Sequence, residues 1–439
     1  MERRTLLKTG LGLAALPLLP RLAFAEDKEP VGFWYESASP ENQDNLKTLL
    51  VDPFNAAHPQ DDLSIDFRGS DLDKQLRIAM LSGSGPDVVY TAGPSYVASM
   101  AQAGQLLPLD DYAAKLGWSD RLLPLFTELG KYDGKLYALA KTYETLGLFY
   151  NKTLFDKNSW KAPTSIAELE ALAEGMKGKG LVPFGAGNAD WRPANEHYVS
   201  IILNSVAGPD NVYKALTGAI PWTDPSIVAA IDKLDEWWQK GYFGPNYFSL
   251  TGEQAFAQIA TGQAGMAPTG TWNFTNIPPY FPANNAEAGF VGFPSTSGAP
   301  VYALGIGSTF SINAKSENPD GAAAVIDYVF TDKFYSAINS VWQGEWNLPL
   351  RDLSAVKLSD KVLPLYTEVM KNLSSAVGDG RYGYTTWTFL PPGTDSYLVS
   401  GMEEVWLKKT TSKDYLKKLD DTFKQEKDAG KVPAIPKRT

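Results

Sequence analysis

The chain has 439 residues, with 40 Lys and Arg against 50 Asp and Glu, two His and no Cys. A net charge of −10 argues against nucleic acid or an anionic membrane surface as a partner. The absence of cysteine excludes disulfides, thiolate metal sites and a cysteine nucleophile, and His58 and His197 alone cannot build a histidine-rich metal centre, so no metal and no cofactor is expected.

The first residues, MERRTLLKTGLGLAALPLLPRLAFA, have a basic start, an apolar run from Leu11 to Leu19 and a small-x-small end at Ala23-Phe24-Ala25, the pattern of a removable secretory signal over residues 1–25. Arg3 and Arg4 followed by Leu6, Leu7 and Lys8 resemble the twin-arginine type of signal. No later stretch is apolar for the ~20 residues a membrane span needs. Losing residues 1–25 removes four basic groups and one acidic group, which leaves 36 basic and 49 acidic groups and a charge of −13 on 414 residues. That length predicts two domains rather than one core. With no cysteine to carry a lipid anchor, the expected address is free in a periplasm.

Val31 to Tyr35 predicts a buried strand, followed by Ser39 as a helix N-cap and Pro40 at the first helical position. Leu46, Leu49, Leu50 and Phe54 share a helical face, with Pro53 predicted to kink the last turn. Leu63, Ile65 and Phe67 alternate as a second strand, Leu72, Leu76, Ile78 and Met80 mark a second helix, and Asp87 to Tyr90 begins a third strand. Strand, helix, strand, helix, strand predicts a parallel sheet covered on both faces, with ligands beyond the C-terminal strand ends. The residues there are Tyr35, Glu36 and Ser37, then Gly69 to Asp71, then Thr91 to Pro94. Asp87 is expected to cap the turn before its strand rather than to act as an acid. Trp34 leaves core burial and ligand stacking both open.

Lys135 to Phe155, KLYALAKTYETLGLFYNKTLF, has two apolar runs around the polar Lys141, Thr142, Tyr143, Glu144 and Thr145, which fits a segment crossing a cleft between two domains. Ser165 and Glu168 form a capping box for the next helix. Phe184 to Ala194, FGAGNADWRPA, breaks all periodicity and makes Asn188, Trp191 and Arg192 candidates for a cleft loop. Asp224-Pro225 opens a helix whose core face is Ile227, Ile231, Leu234 and Trp238. FAQIATGQAGMAPTGTWNF, residues 256–274, reads as helix end, short strand and an emerging Gly270-Thr271-Trp272, in which Trp272 is expected to present a whole ring face without packing against its own strand. A structural role is expected for His197. Tyr302 to Ile312 is a strand broken by glycines, and Gly378 to Tyr397, with Arg381, Tyr382, Tyr384, Trp387 and Asp395, is aromatic and rich in turns.

Several of these stretches resemble the maltose-binding-protein-like extracellular solute-binding proteins of ABC transporters. LYALAKTYETLGLFYNKTLF is similar to that family's hinge segment, although the family's usual Pro is absent and Lys141 and Thr142 stand in its place. GSGPDVVYTAG, the 256–274 segment, NPDGAAAVIDYVF and the WQGEWNLPL that starts at Trp342 resemble further family segments. The resemblance implies an α/β, two-lobed periplasmic binding protein fold of type II with three interdomain crossings. On that basis one lobe is expected over 26–141 plus 304–352 and the other over 142–303 plus 353–439. It implies a carbohydrate ligand, an ABC permease as partner, no enzyme activity and no membrane insertion, and a monomer is expected.

Twelve Trp, 21 Tyr and 20 Phe fit that implication, since aromatic faces in a cleft suit sugar rings. The expected ligand contacts are Trp272, Glu144, Tyr143, Gly270, Thr271, Tyr35, Glu36, Ser37, Asp71, Thr91, Asn188, Trp191, Arg192, Tyr302, Trp346 and Trp387. Two rival readings are an anionic glycoside or phosphodiester held by Arg192 or Arg381, and a secreted glycosidase using two carboxylates.

Overall fold

The computed structural model of the protein describes residues 28–189, 194–353 and 356–438. The signal read in residues 1–25, and Trp191 and Arg192 of the predicted cleft loop, lie outside the described residues. The strands in chain order are β1 (Glu29–Tyr35), β2 (Asp61–Phe67), β3 (Val88–Thr91), β4 (Lys131–Tyr132), β5 (Lys135–Leu136), β6 (Leu139–Asn151), β7 (Val182–Phe184), β8 (Ala264–Gly270), β9 (Ala288–Gly292), β10 (Tyr302–Ile312) and β11 (Tyr382–Tyr384). Nine of them form one mixed sheet in the order β2-β1-β3-β10-β6-β8-β7, with β9 beside β6 and β11 beside β10.

The opening strands are parallel, as the strand-helix alternation predicts: β1 pairs with both β2 and β3 in parallel. Ser39 caps the helix Pro40–Leu46 by accepting from Asn42 N–H. Before Pro53 the backbone widens into a π-helical stretch, Lys47–Val51, so the disturbance lies upstream of the proline rather than in the last turn. Proline has no N–H to give the carbonyl four residues back, and the Asp52 N–H closes instead on the Lys47 carbonyl five residues back. In the helix Leu72–Leu81, Leu72, Leu76 and Met80 are buried, whereas Ile78 is 61% exposed, because it lies on the opposite side of that four-residue repeat. Asp87 does not cap the turn before its own strand; its carboxylate accepts from Gly32 N–H of β1 at 2.7 Å and from the Ser316 hydroxyl at 2.6 Å, which ties the start of β3 to a neighbouring strand and to the loop after β10. Ser165 caps the helix Ile166–Lys177, but Glu168 reaches back to Thr164 rather than closing the box on Ser165. In the helix Pro225–Gln239 the fully buried indole is Trp237; Trp238 is half-buried and stacks on Trp406 at 4.4 Å.

Two apolar cores flank the middle of the sheet. One gathers Phe33, Leu50, Phe54, Phe310, Ile326 and Trp346. The other gathers Phe149, Ile231, Met266, Phe274, Leu398 and Trp406. The strands β6 and β10 run antiparallel to each other and reach both cores. Leu139 of β6 and Phe310 of β10 serve the first core, Leu148 and Phe149 of β6 and Leu304 and Ile306 of β10 the second. The polar interruption in 141–145 is therefore not a break in the strand but the part of β6 that passes between cores.

Trp342 and Trp346 both belong to the first core. Trp346 stacks on Tyr35 with ring centroids 5.7 Å apart and planes 6° from parallel, and it meets Phe334 edge-on at 5.3 Å. Trp346→Ala is expected to cost roughly 3–5 kcal/mol of stability, measured as a lower midpoint in guanidinium unfolding.

Candidate functional site

One face of the sheet between the cores is cleared by glycine. Gly305 on β10 lies opposite Glu144 on β6, and Gly270 on β8 lies opposite Leu146. Glu144 and Leu146 are two residues apart and so share a face. A Cβ on Gly305 would sit 2.6 Å from the Trp387 ring, and one on Gly307 would sit 2.8 Å from the Glu144 carboxylate. A Cβ on Gly270 would lie 1.9 Å from the ring of Trp272: contrary to the expectation of a ring clear of its own strand, the indole folds back over the strand end, which the missing side chain of Gly270 permits. The three missing side chains let Trp272, Trp387 and Glu144 lie flat on the same face, and the register of the ladder slips at Gly307.

Trp272 and Trp387 are half-buried and meet edge-to-face at 6.4 Å, with His197 against both, at 4.8 and 5.3 Å. Burial holds the His197 imidazole well below its ordinary value, at about 3, so it is a neutral packing ring, in line with the structural role expected for it. Trp387 is anchored by its indole N–H, which donates to the Ile306 carbonyl at 3.3 Å. The helix Pro94–Gln102 reaches the same place: Ser95 donates to the Trp387 carbonyl at 3.4 Å.

Beside this face lies a cluster of charge. Lys141 is 1% exposed and its ammonium bonds Glu345 at 2.5 Å and the Tyr35 hydroxyl at 3.0 Å. The same ammonium sits 4.5 Å over Trp346, 5.2 Å over Tyr35 and 5.4 Å over Tyr90, an aromatic enclosure that replaces part of its lost hydration. Glu36 accepts from the Tyr90 hydroxyl. Glu144 is 7% exposed, and its carboxyl makes no hydrogen bond among the described residues. Burial first, and then repulsion from Glu345, raise Glu144 to about 8 and Glu36 to about 7, while Lys141 opposes both shifts.

The other predicted contacts separate into distinct surroundings. Tyr143 points to the opposite face of the strand, against Phe126, with its hydroxyl 3.1 Å from that of Ser374. Thr271 is buried and accepts from Thr145 N–H, and Thr91 is buried against Thr309, hydroxyl to hydroxyl at 2.7 Å. Tyr35 and Trp346 offer the site only the Tyr35 hydroxyl, since their rings are core. Ser37 and Asp71 are exposed at the strand ends where the parallel topology puts them. Asn188 is buried and donates to Glu403 at 3.2 Å, and its carbonyl oxygen has no partner among the described residues. Tyr302 starts β10, five residues or roughly 16 Å from Gly307. Arg381 is exposed and paired with Asp379 at 2.8 Å. Trp34 carries the Arg68 guanidinium 3.9 Å above its ring.

Sequence reasoning did not find Glu345 or the role of Lys141. The available signal was a lysine in an otherwise apolar strand, which demands a partner.

Two outcomes are expected. Gly270→Ala should push the Trp272 ring off the strand, read as an altered near-ultraviolet circular dichroism and tryptophan emission. A folded state that keeps protons on Glu144 and Glu36, which the unfolded chain loses near 4.5, is stabilised below pH 4.5 and loses that stability as pH rises toward 7 and 8. Neutral His197 acts oppositely and lower, contributing above pH 6.5 and losing its contribution as pH falls toward 3. Melting temperature should therefore decline between pH 6.5 and 8, and Glu144→Gln should flatten that decline.

Comparison with known proteins agrees with this architecture. Residues 37–334 match the family model described as bacterial extracellular solute-binding protein. The chain is 26% identical over 320 residues to an uncharacterized ABC transporter extracellular-binding protein of Pyrococcus horikoshii, covering 70% of this chain and 67% of that one. It is 26% identical over 363 residues to the multiple sugar-binding protein of Streptococcus mutans, covering 76% and 81%. Among solved structures, a chitin oligosaccharide binding protein superposes with a TM-score of 0.80 at 20% identity, covering 91% of this chain and 99% of the other, which establishes a shared two-lobed α/β fold. Among the described residues no helix is long and apolar enough to cross a membrane. The chain belongs to the bacterial extracellular solute-binding protein family.

Proposed function

We propose that this protein is the sugar-binding component of an ABC importer, holding a mono- or oligosaccharide between its lobes and presenting it to a membrane permease. The observation that carries the reading is the glycine-cleared face, where Trp272 and Trp387 flank a buried Glu144 whose carboxyl has no hydrogen bond of its own among the described residues. Sugar rings combine apolar C–H faces with hydroxyl edges, and two half-buried indoles beside a carboxyl match both. Sugar-binding relatives support the same reading. In this reading the lobes are 26–141 plus 304–352 and 142–303 plus 353–439, joined by three crossings, and closure brings ligand contacts from both. The protein acts as a periplasmic monomer after loss of residues 1–25, by the twin-arginine route. It binds without turnover, as its family does. Arg381 is already paired with Asp379 on the surface, which disfavours it as the holder of an anionic ligand.

Two measurements test this. In a thermal-shift screen against neutral mono-, di- and trisaccharides, a ligand at 100 times its dissociation constant adds about 2.7 kcal/mol, and the sugar should be recovered unchanged. A screen with no shift from any sugar would overturn the reading, and steady release of hydrolysed product would replace it with a glycosidase. Trp272→Ala should weaken the binding of that sugar at least tenfold with little change in the melting temperature of the empty protein.

A further inference from the structure

Among the described residues, the carboxyl groups at the site outnumber the cations available to them. Lys141 is committed: it is fully buried, bonded to Glu345 and Tyr35, and closed in by three aromatic rings, so it cannot turn toward a ligand. Glu36 has only the Tyr90 hydroxyl, and the Glu144 carboxyl has no hydrogen bond among the described residues although more than nine-tenths of the residue's surface is buried. Arg68, on the same lobe, pairs with Asp66 and covers Trp34. Among the described residues, Glu144, beside Trp387 across Gly305, and Glu36, next to it in the charge cluster, are therefore left without an ion-pair partner, and the Glu144 carboxyl without any hydrogen-bonding partner. A buried acid in that position gains most from a donor that is itself charged, because a charge-assisted hydrogen bond in a site with little water is stronger than one from a hydroxyl.

We propose that the sugar taken by this cleft carries a protonated amine, as in an amino sugar or an aminocyclitol glycoside, and that the ammonium sits against Glu144 with Glu36 as the second carboxylate. The proposal rests on the reading of the cleft as a sugar site and names the class of sugar. The indoles take the ring faces and the ammonium takes Glu144, whose carboxyl, kept largely protonated at neutral pH by burial, releases its proton to solvent as the ligand's charge arrives and relieves the repulsion among Glu36, Glu144 and Glu345. Lys141 then has a definite part: it neutralises Glu345, so the ligand cation meets Glu144 and Glu36 rather than all three.

The experiment is titration calorimetry of the protein with matched pairs differing by one amine in place of one hydroxyl: glucose, galactose, mannose, maltose and cellobiose, each beside its monoamino derivatives, at pH 7. At least one amine is expected to bind about tenfold or more tighter than its parent sugar. That preference should shrink as sodium chloride is raised, since screening acts on the charged pair. Glu144→Gln should bring the ratio of the two affinities close to one, and Glu36→Gln should lower it, with melting curves checking that each variant is folded. Neutral sugars that bind as well as or better than every amine would overturn the inference and leave the sugar-binding reading standing. Binding of no sugar of either kind would overturn both. An amine preference that survives in Glu144→Gln would overturn the assignment to that carboxyl.

Discussion

Everything at the candidate site depends on two strands that serve both cores. Strands β6 and β10 are hydrogen-bonded to each other over Ala303 to Phe310, and each buries apolar side chains in a different core at its two ends. In the stretch between, Tyr143 turns to the second core, while the polar residues around it face the charge cluster and the site. Lys141, Thr142, Glu144 and Thr145 are all buried although polar, Lys141 among Tyr35, Tyr90 and Trp346 of the first core. Polar groups survive in that position only when they are paired or hydrogen-bonded, and the pairing of Lys141 with Glu345 follows from that constraint. Among the described residues the Glu144 carboxyl has no such partner, and an unmatched, largely buried carboxyl is a better pointer to a ligand than its paired neighbours.

Much of the fold was legible because it is local. The capping by Ser39 and Ser165, the parallel opening of the sheet and the limits of β10 all follow from turn chemistry and alternation over a few residues. What was misjudged was local too, but subtler. Ile78 fell among apolar residues and yet faces away from them, and the burial assigned to Trp238 belongs to its neighbour Trp237. Both are matters of one helical position, which composition does not resolve.

The site was legible in part, for a different reason. Trp272 and Glu144 stood out because a Gly-flanked indole and a polar run inside a strand are each unusual on their own. The link between them runs through Gly305 and Gly307, which act only as missing side chains. Glu345 lies some 200 residues from Lys141, and no local pattern ties them. Tyr35 and Trp346 were placed correctly at strand ends and loop, but sequence does not tell which of two neighbouring rings packs inward and which is left to a ligand.

The sharing of strands also sets an order of events during synthesis. The first core is built from residues before Leu139 together with Phe310, Ile326, Phe334 and Trp346. A ribosome must have released the chain beyond residue 346 before that core can close, and by then most of the second core's residues are also free. Neither half is a separate early product. Pairings of such long sequence separation form slowly and leave apolar segments uncovered while they wait. A chain organised in this way has reason to delay commitment until it is nearly whole.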